Sequence, residues 1–150
     1  MKLERVSPEQ AHRLIEEQGY LHLDVRTVQE FEAGHPEGAY NVPIKVTTEH
    51  GMADNSEFLS VVRACFESDA GIVVDCRSGN RSLAAARVLI EAGFSRVVDQ
   101  RAGFGGRRGS FGELEEAGWK DSGLPVASSA TQGRDYASLR RRAFSAGGES

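Results

Sequence analysis

Hydrophobic and polar positions along the chain alternate between short apolar runs and longer amphipathic stretches. Apolar residues at every second position predict a strand over 21–26, and a continuous apolar run predicts a buried strand over 72–75. Apolar residues at helical spacing predict helices over 28–33, 56–67 and 83–92. Strands that alternate with helices favour an α/β fold with a mostly parallel sheet.

Composition narrows the class of protein. The 150 residues fit one domain, and the hydrophobic fraction of 39% is ordinary for a globular chain. Eighteen basic against 22 acidic side chains give a net charge of −4, which argues against general nucleic-acid binding. Residues 1–5 lack the apolar core of a signal peptide, and no segment is long enough to span a membrane. The sequence therefore predicts a cytoplasmic protein without nucleic-acid or membrane partners.

Cysteine and histidine usage gives no sign of a disulfide framework or a metal centre. The chain has two cysteines, Cys65 and Cys76, and a reducing compartment disfavours a bond between them. The histidines are scattered without metal-ligand spacing, at His12, His22, His35 and His50. We predict neither a metal nor an organic cofactor.

The most informative motif is the loop over 76–82, Cys-Arg-Ser-Gly-Asn-Arg-Ser, which follows the predicted strand over 72–75. A strand that ends at a cysteine and turns into a helix points several backbone N–H groups at one sulfur. The helix N-terminus, Arg77 and Arg81 add positive charge, which stabilises the nucleophilic thiolate form. The loop therefore predicts that Cys76 is a nucleophile beside an anion-binding site.

The other residues of this loop have two interpretations. Gly79 is expected to adopt a backbone conformation that a side chain would block. Ser78, Asn80 and Ser82 supply small polar groups that either hydrogen-bond the reacting sulfur or cap the helix. Both interpretations stay open on the sequence alone.

Four stretches, in order, resemble the rhodanese family of single-domain sulfurtransferases. The first two are 24–31, with Asp-Val-Arg before Glu-Phe, and 34–43, with Gly-His-Pro-Glu-Gly-Ala. The cysteine loop at 76–82 is the third, and 119–126, from a tryptophan to Gly-Leu-Pro-Val, is the fourth. The resemblance predicts a domain at 1–127. Outside the resemblance, the composition turns polar, which predicts a tail at 128–150 with one short basic helix over 136–144.

This resemblance implies a three-layer α/β/α domain with a central five-stranded, mostly parallel sheet. It also implies a reaction in two steps, in which Cys76 takes a sulfane sulfur from a donor such as thiosulfate and forms a persulfide. An acceptor then takes the sulfur: cyanide, a thiol or a protein. The implied partners are thus a small anionic donor and a thiophilic acceptor.

The length of the cysteine loop bears on two alternative functions. In phosphatases of similar fold the phosphate-binding arginine follows the cysteine after five residues, whereas Arg81 follows Cys76 after four. The shorter loop favours sulfur transfer over phosphate hydrolysis or arsenate reduction. The third alternative is a regulatory module or sulfur relay that binds a partner without turnover.

Residues outside the loop complete the predicted site. Arg101, Arg107 and Arg108 form a basic group expected at its mouth, the last two within an apparent insertion at 107–113. Such a group would steer an anionic donor or dock an acidic partner.

Four further residues are expected to support the site structurally. Asp24 and Arg26 are predicted to form a buried ion pair at a strand end, with Glu30 as a second partner of Arg26. His35 is predicted to be structural, because persulfide exchange needs little proton transfer once the thiolate exists.

Overall fold

The computed structural model describes residues 3–148. Its strands are β1 Glu4–Val6, β2 Leu21–Asp24, β3 His35–Pro36, β4 Tyr40–Asn41, β5 Lys45–Thr48, β6 Gly51–Asp54, β7 Gly71–Asp75, β8 Arg96–Gln100, β9 Arg107–Arg108, β10 Leu114–Glu116 and β11 Val126–Ala127. Its α-helices are α1 Pro8–Gln18, α2 Val28–Ala33, α3 Phe58–Cys65, α4 Asn80–Glu91 and α5 Tyr136–Gly148, and a 3-10 helix spans Trp119–Asp121.

The central sheet has five strands in the order β1-β8-β7-β2-β4, and every neighbouring pair is parallel. All five residues of β7 are buried, as a continuous apolar run in the middle of a parallel sheet should be. The predicted α/β fold with a five-stranded parallel sheet is confirmed. Cys76 follows β7, so it lies at the carboxyl end of the central strand, where ligands bind in such sheets.

Helices cover both faces of this sheet. On one face, Phe58 and Val62 of α3, Leu89 of α4 and Leu139 of α5 pack in the larger hydrophobic cluster. On the other face, Ala11 of α1 belongs to a smaller cluster with the buried residues Val6, Val73, Val98 and Trp119. These two cores give the three-layer arrangement.

Two antiparallel hairpins lie outside the central sheet. Strand β4 ends at Asn41, before Pro43, and the chain then forms the antiparallel pair β5 and β6. The insertion at 107–113 contributes β9 and the turn of a second antiparallel pair, β9 and β10. Phe111 in that turn is 97% exposed.

The C-terminal segment packs on the domain. Helix α5 runs further than the predicted 136–144, and its Leu139 is fully buried in the core with α3. Arg140 donates two hydrogen bonds to the Glu57 carboxylate at 2.7 and 2.9 Å. Leu139, with the partly buried Tyr136 and Ala143 packed against the same cluster, thus anchors a stretch whose composition is polar. The domain boundary at residue 127 stays a prediction.

Candidate active site

The Cys76 sulfur lies in a loop that points hydrogen-bond donors at it. The residue is 2% exposed, and the Gly79 backbone N–H donates to its Sγ at 3.1 Å. In the neutral state the Cys76 thiol donates to Ser82 Oγ at 3.3 Å; a thiolate would instead accept from that hydroxyl. Helix α4 begins at Asn80, so its positive end lies beside the sulfur. The arrangement suits a thiolate or a persulfide anion.

Close packing against residues 101–105 fixes the shape of the cysteine loop. Gly79 has φ of 98°, and a Cβ at this position would collide with the Arg101 carbonyl oxygen. The Phe104 N–H donates to the Cys76 carbonyl at 2.7 Å, and the Gly105 N–H donates to the Arg77 carbonyl at 2.8 Å. Glycine at 79 is therefore required both by conformation and by space.

Arg81 is held beside the sulfur by Glu30. Its two terminal nitrogens donate to the Glu30 carboxylate at 2.6 and 2.9 Å. Burial alone would raise the pKa of the Glu30 carboxyl, but hydrogen bonds from Arg81 and Thr27 outweigh burial and lower the pKa from 4.5 to about 2. The hydrogen bond to Glu30 raises the pKa of Arg81, and the nearby Cys76 acts in the same direction.

The expectation that Glu30 is a partner of Arg26 is wrong. Thr27 and Glu30 form a capping box at the start of α2, which commits one Glu30 oxygen to the backbone N–H of Thr27. The carboxylate reaches Arg81 on α4 instead, across 51 positions of sequence. Helix capping and the approach of two helices decide this pairing, and neither can be read from the spacing of Arg26 and Glu30.

Arg26 instead forms a buried ion pair with Asp24. The Arg26 Nη2 lies 2.8 Å from Asp24 Oδ2, and both side chains are at most 5% exposed. The same nitrogen donates to the Gly34 carbonyl at 2.7 Å, and the guanidinium lies over the Phe104 ring, 4.4 Å from its centroid. This pair ties the end of β2 to two neighbouring loops. It makes no hydrogen bond to the sulfur.

His35 contacts Phe31 and makes no hydrogen bond to the Cys76 sulfur. Its Nδ1 donates to the Phe31 carbonyl at 2.8 Å, and its ring stacks on the Phe31 ring with centroids 3.7 Å apart. The residue is 1% exposed and belongs to β3, which pairs with β11.

Sequence reasoning missed a buried polar network around Asp75, the residue that precedes the cysteine. The His22 Nε2 lies 2.9 Å from Asp75 Oδ2, and Gln100 Nε2 donates to Asp75 Oδ1 at 3.2 Å. Burial raises the pKa of Asp75, although its hydrogen bond with His22 opposes the rise. Polar residues within or at the end of apolar strands were the available signal, since buried polar groups are normally hydrogen-bonded. The network connects the carboxyl ends of β7 and β8 with β2.

A basic cavity of about 580 Å³ borders the outer side of the cysteine loop. Arg107 and Arg108 line it together with Arg77, Ser78 and Asn80 of the loop. The other charged side chains of the lining are Arg5, Glu115 and Lys120. Five basic groups against one carboxylate favour the binding of an anion.

Arg101 does not line this cavity, although the sequence groups it with Arg107 and Arg108. Its guanidinium makes a bidentate ion pair with Glu116, with distances of 2.9 and 2.8 Å. Arg5, which sequence reasoning did not single out, donates to the Gly79 carbonyl at 3.1 Å and to the buried Asp99 carboxylate at 2.6 Å. Arg5 thus connects β1 with the cysteine loop and with the end of β8.

Comparison with known proteins shows the family of this chain. The protein-family model of the rhodanese-like domain matches residues 7–106, so the chain belongs to that family. It is 38% identical over 108 residues to thiosulfate sulfurtransferase 16 of Arabidopsis thaliana, covering 72% of this chain and 80% of that one. It is also 38% identical over 119 residues to the senescence-associated protein DIN1 of Raphanus sativus, covering 79% of this chain and 58% of that protein.

A solved structure shares the fold. The crystal structure of Rv0390 from M. tuberculosis superposes with a TM-score of 0.71 at 28% identity, covering 86% of this chain and all of that one. Among residues 3–148, no helix is both long enough and apolar enough to cross a membrane.

Proposed function

We propose that the protein is a sulfurtransferase that carries sulfane sulfur as a persulfide on Cys76. The Gly79 N–H at 3.1 Å from a buried Cys76 Sγ, at the positive end of α4, is the observation that carries this proposal. These groups stabilise negative charge on sulfur. The attacking thiolate carries that charge on Sγ, and the persulfide carries it on the outer sulfur.

In the first step, the Cys76 thiolate attacks the outer sulfur of thiosulfate. The new bond joins Cys76 Sγ to that sulfur, while the sulfur–sulfur bond of thiosulfate breaks and sulfite leaves with its electron pair. In the second step a thiolate or cyanide attacks the outer sulfur of the persulfide. Cys76 then leaves as a thiolate, so the enzyme returns to its starting form without an external oxidant or reductant.

The charges beside the cysteine loop support an anionic donor. Arg81 lies near the sulfur, but its bidentate pair with the Glu30 carboxylate offsets its charge, so the argument rests on the basic cavity. The basic cavity lined by Arg77, Arg107 and Arg108 raises the local concentration of anions at the loop. We infer that the cavity also accepts an acidic surface of a protein acceptor, which would make the hairpin of β9 and β10 a docking element.

The experiment that tests the proposal is intact-protein mass spectrometry after incubation with thiosulfate. We expect a gain of one sulfur atom that cyanide or a thiol removes, and no gain in Cys76→Ser. The matched control is Cys65→Ser, because Cys65 is half-buried at the end of α3 and burial raises the pKa of its thiol. Cys65→Ser should gain sulfur like the native chain, and a sulfur adduct on Cys76→Ser would refute the mechanism.

Substrate assays separate sulfur transfer from the three alternatives, which are phosphate hydrolysis, arsenate reduction and binding without turnover. An enzyme that acts on phosphoesters or arsenate would turn over p-nitrophenyl phosphate or reduce arsenate, and we expect neither reaction to compete with sulfur transfer. A binding module without turnover would fail to gain sulfur from thiosulfate and also from a reactive persulfide donor. The cytoplasmic location stays a prediction.

A further inference from the structure

The hairpin of β9 and β10 lies beside the basic cavity at the cysteine loop, and residues of both strands line that cavity. Leu114 of β10 lies against its wall, since a Cβ on the lining residue Gly106 would be 2.8 Å from the Leu114 Cδ1 atom. The cavity and the hairpin therefore form one continuous surface. We call the basic cavity together with residues 107–116 the hairpin surface.

Three cations of the hairpin surface are available to a binding partner. Arg77, Arg108 and Lys120 are exposed, and they form no ion pair within residues 3–148. The other two basic groups of the lining already have carboxylate partners. This local positive charge lies on a chain whose net charge is −4. Such a patch attracts and orients a negatively charged partner.

The carboxylates of the hairpin do not neutralise these three cations. Glu115 lies 3.8 Å from Arg107, and Glu116 makes the bidentate pair with Arg101. The third carboxylate, Glu113, accepts a hydrogen bond from a backbone N–H of the turn at 3.0 Å. Each carboxylate of the hairpin thus has its own partner in the domain, so the positive charge of the three cations remains to be satisfied from outside.

Phe111 presents its aromatic ring to solvent in the turn of the hairpin. The residue is 97% exposed, and Leu114, further along the same hairpin, is 49% exposed. The turn that carries the ring is held by hydrogen bonds, one of which runs from the Gly109 N–H to the Glu113 carbonyl at 2.8 Å. A ring on a turn held in this way loses less conformational freedom when a partner covers it than a ring on a flexible loop would.

These features together favour a protein as the occupant of the hairpin surface. A small anion in the cavity would leave Phe111 and Leu114 in water, whereas a protein surface would cover both side chains. Arginine and aromatic residues are enriched where proteins bind each other. Thiosulfate has no apolar part, so the apolar side chains fit the acceptor of the proposed reaction and not its donor.

We propose that the hairpin surface docks an acidic protein that accepts the sulfur, with Phe111 seated in an apolar depression of that protein. The proposal rests on the proposed function. Because Arg77, Ser78 and Asn80 of the cysteine loop line the cavity, a protein docked there lies beside that loop. A cysteine thiolate of the partner attacks the outer sulfur of the persulfide. The bond from that sulfur to Cys76 Sγ breaks, Cys76 leaves as a thiolate, and the partner leaves as a persulfide.

The test uses three fluorescent peptides of equal length, each with one cysteine. The acidic-apolar peptide combines aspartate with leucine, the acidic peptide has serine in place of leucine, and the basic peptide has lysine in place of aspartate. Fluorescence anisotropy measures their binding to Cys76→Ser, which cannot transfer sulfur. We expect the acidic-apolar peptide to bind about tenfold more tightly than the acidic peptide, and the basic peptide not to bind. Added salt should weaken the binding of both acidic peptides.

Matched variants of Cys76→Ser locate the contact. Lys120→Glu reverses an exposed charge of the cavity and should weaken the binding of the acidic-apolar peptide about tenfold. Arg87→Glu makes the same change of charge at an exposed position outside the lining, and it should bind all three peptides as Cys76→Ser does. Phe111→Ser should reduce the difference between the two acidic peptides to about twofold or less, because it removes the exposed ring.

Sulfur transfer is measured separately, from the Cys76 persulfide of the native chain to each peptide. Each rate is divided by the rate of transfer to 2-mercaptoethanol, an uncharged thiol, and the acidic-apolar peptide should give the highest ratio. If neither thiosulfate nor a reactive persulfide donor loads Cys76, the proposed function fails, while the binding assay still decides whether the docking surface exists.

Four outcomes would overturn the proposal. Failure of all three peptides to bind would leave the cavity to small anions. Equal losses of affinity in Lys120→Glu and Arg87→Glu would place the acidic peptides elsewhere on the molecule. An undiminished preference for leucine in Phe111→Ser would show that the ring is not part of the contact. An acidic-apolar peptide that binds but takes up sulfur no faster than the basic peptide would show that the docked protein is not the acceptor.

Discussion

The ion pair between Glu30 and Arg81 should make a pH-dependent contribution to stability. Glu30→Gln removes the charge of the carboxylate, while the amide oxygen can still serve the capping box of α2. The change therefore isolates the pair with Arg81 from the cap. It leaves Arg81 half-buried without its partner.

The size of the effect follows from the pKa of Glu30. A pKa of about 2 in the folded chain, against 4.5 for the free side chain, corresponds to an upper limit of about 3.4 kcal/mol. The two side chains are 21% and 27% exposed, so water screens part of this interaction. We expect Glu30→Gln to lower the free energy of unfolding by about 1–2 kcal/mol at pH 7.

The sign of the pH dependence is fixed by the direction of the pKa shift. Because folding lowers the pKa of Glu30, its contribution is complete above pH 4.5 and is lost as the pH falls towards about 2. The difference between the native chain and Glu30→Gln should therefore be constant from pH 7 to pH 5. At pH 3 it should fall to less than half of that value.

Urea denaturation of both proteins at pH 7, 5, 4 and 3 measures this difference. Glu57→Gln is the control, because it breaks an ion pair with Arg140 that is exposed to water and should leave stability nearly unchanged. An equal loss for Glu30→Gln at pH 7 and pH 3, or no loss at pH 7, would show that the ion pair does not stabilise the fold.

Three further predictions concern packing, and urea denaturation checks each of them. Leu139→Ala should lower the free energy of unfolding by about 2–5 kcal/mol, because Leu139 is fully buried. The control Leu114→Ala, at a half-exposed position, should change it by less than about 0.5 kcal/mol. Similar losses for the two variants would contradict the docking of α5. Gly79→Ala should lower the free energy of unfolding more than Gly93→Ala does. Both glycines have positive φ, but of the two only Gly79 has backbone atoms where a Cβ would lie. Equal losses would contradict the close packing around Gly79. Trp119→Phe should lower the free energy of unfolding by about 0.5–1.5 kcal/mol, because it removes the indole donor at 2.8 Å from the Pro125 carbonyl, which still accepts from the Glu37 N–H. No loss would mean that water replaces the indole donor.

The sequence alone determined the fold class and predicted the loop around Cys76. The apolar run before Cys76 is short, continuous and rich in β-branched residues, and such a run must be buried on both faces of a sheet. The start of α1 is equally local in origin, since the side chain of Ser7 before Pro8 caps this helix through contacts within three residues. Interactions of this range involve only neighbouring residues, which explains why the sequence predicts them.

The partner of each charged group was decided only by the tertiary structure. Glu30 is four positions from Arg26 and 51 from Arg81, yet it pairs with Arg81. His22 and Asp75 meet because β2 and β7 are neighbours in the sheet, which brings residues 53 positions apart to 2.9 Å. Charge pairs depend on which elements pack together, and several pairings of the same residues fit the spacing equally well.

The position of the C-terminal segment also could not be predicted from the sequence. Its composition is polar, yet the fully buried Leu139 anchors it in the core, with Tyr136 and Ala143 packed against the same cluster. These contacts bring α5 near α2, and residues of both helices line one cavity. A cavity is the space left between elements distant in sequence, so no local pattern encodes it, whereas strands and helix caps arise from neighbouring residues and can be predicted from them.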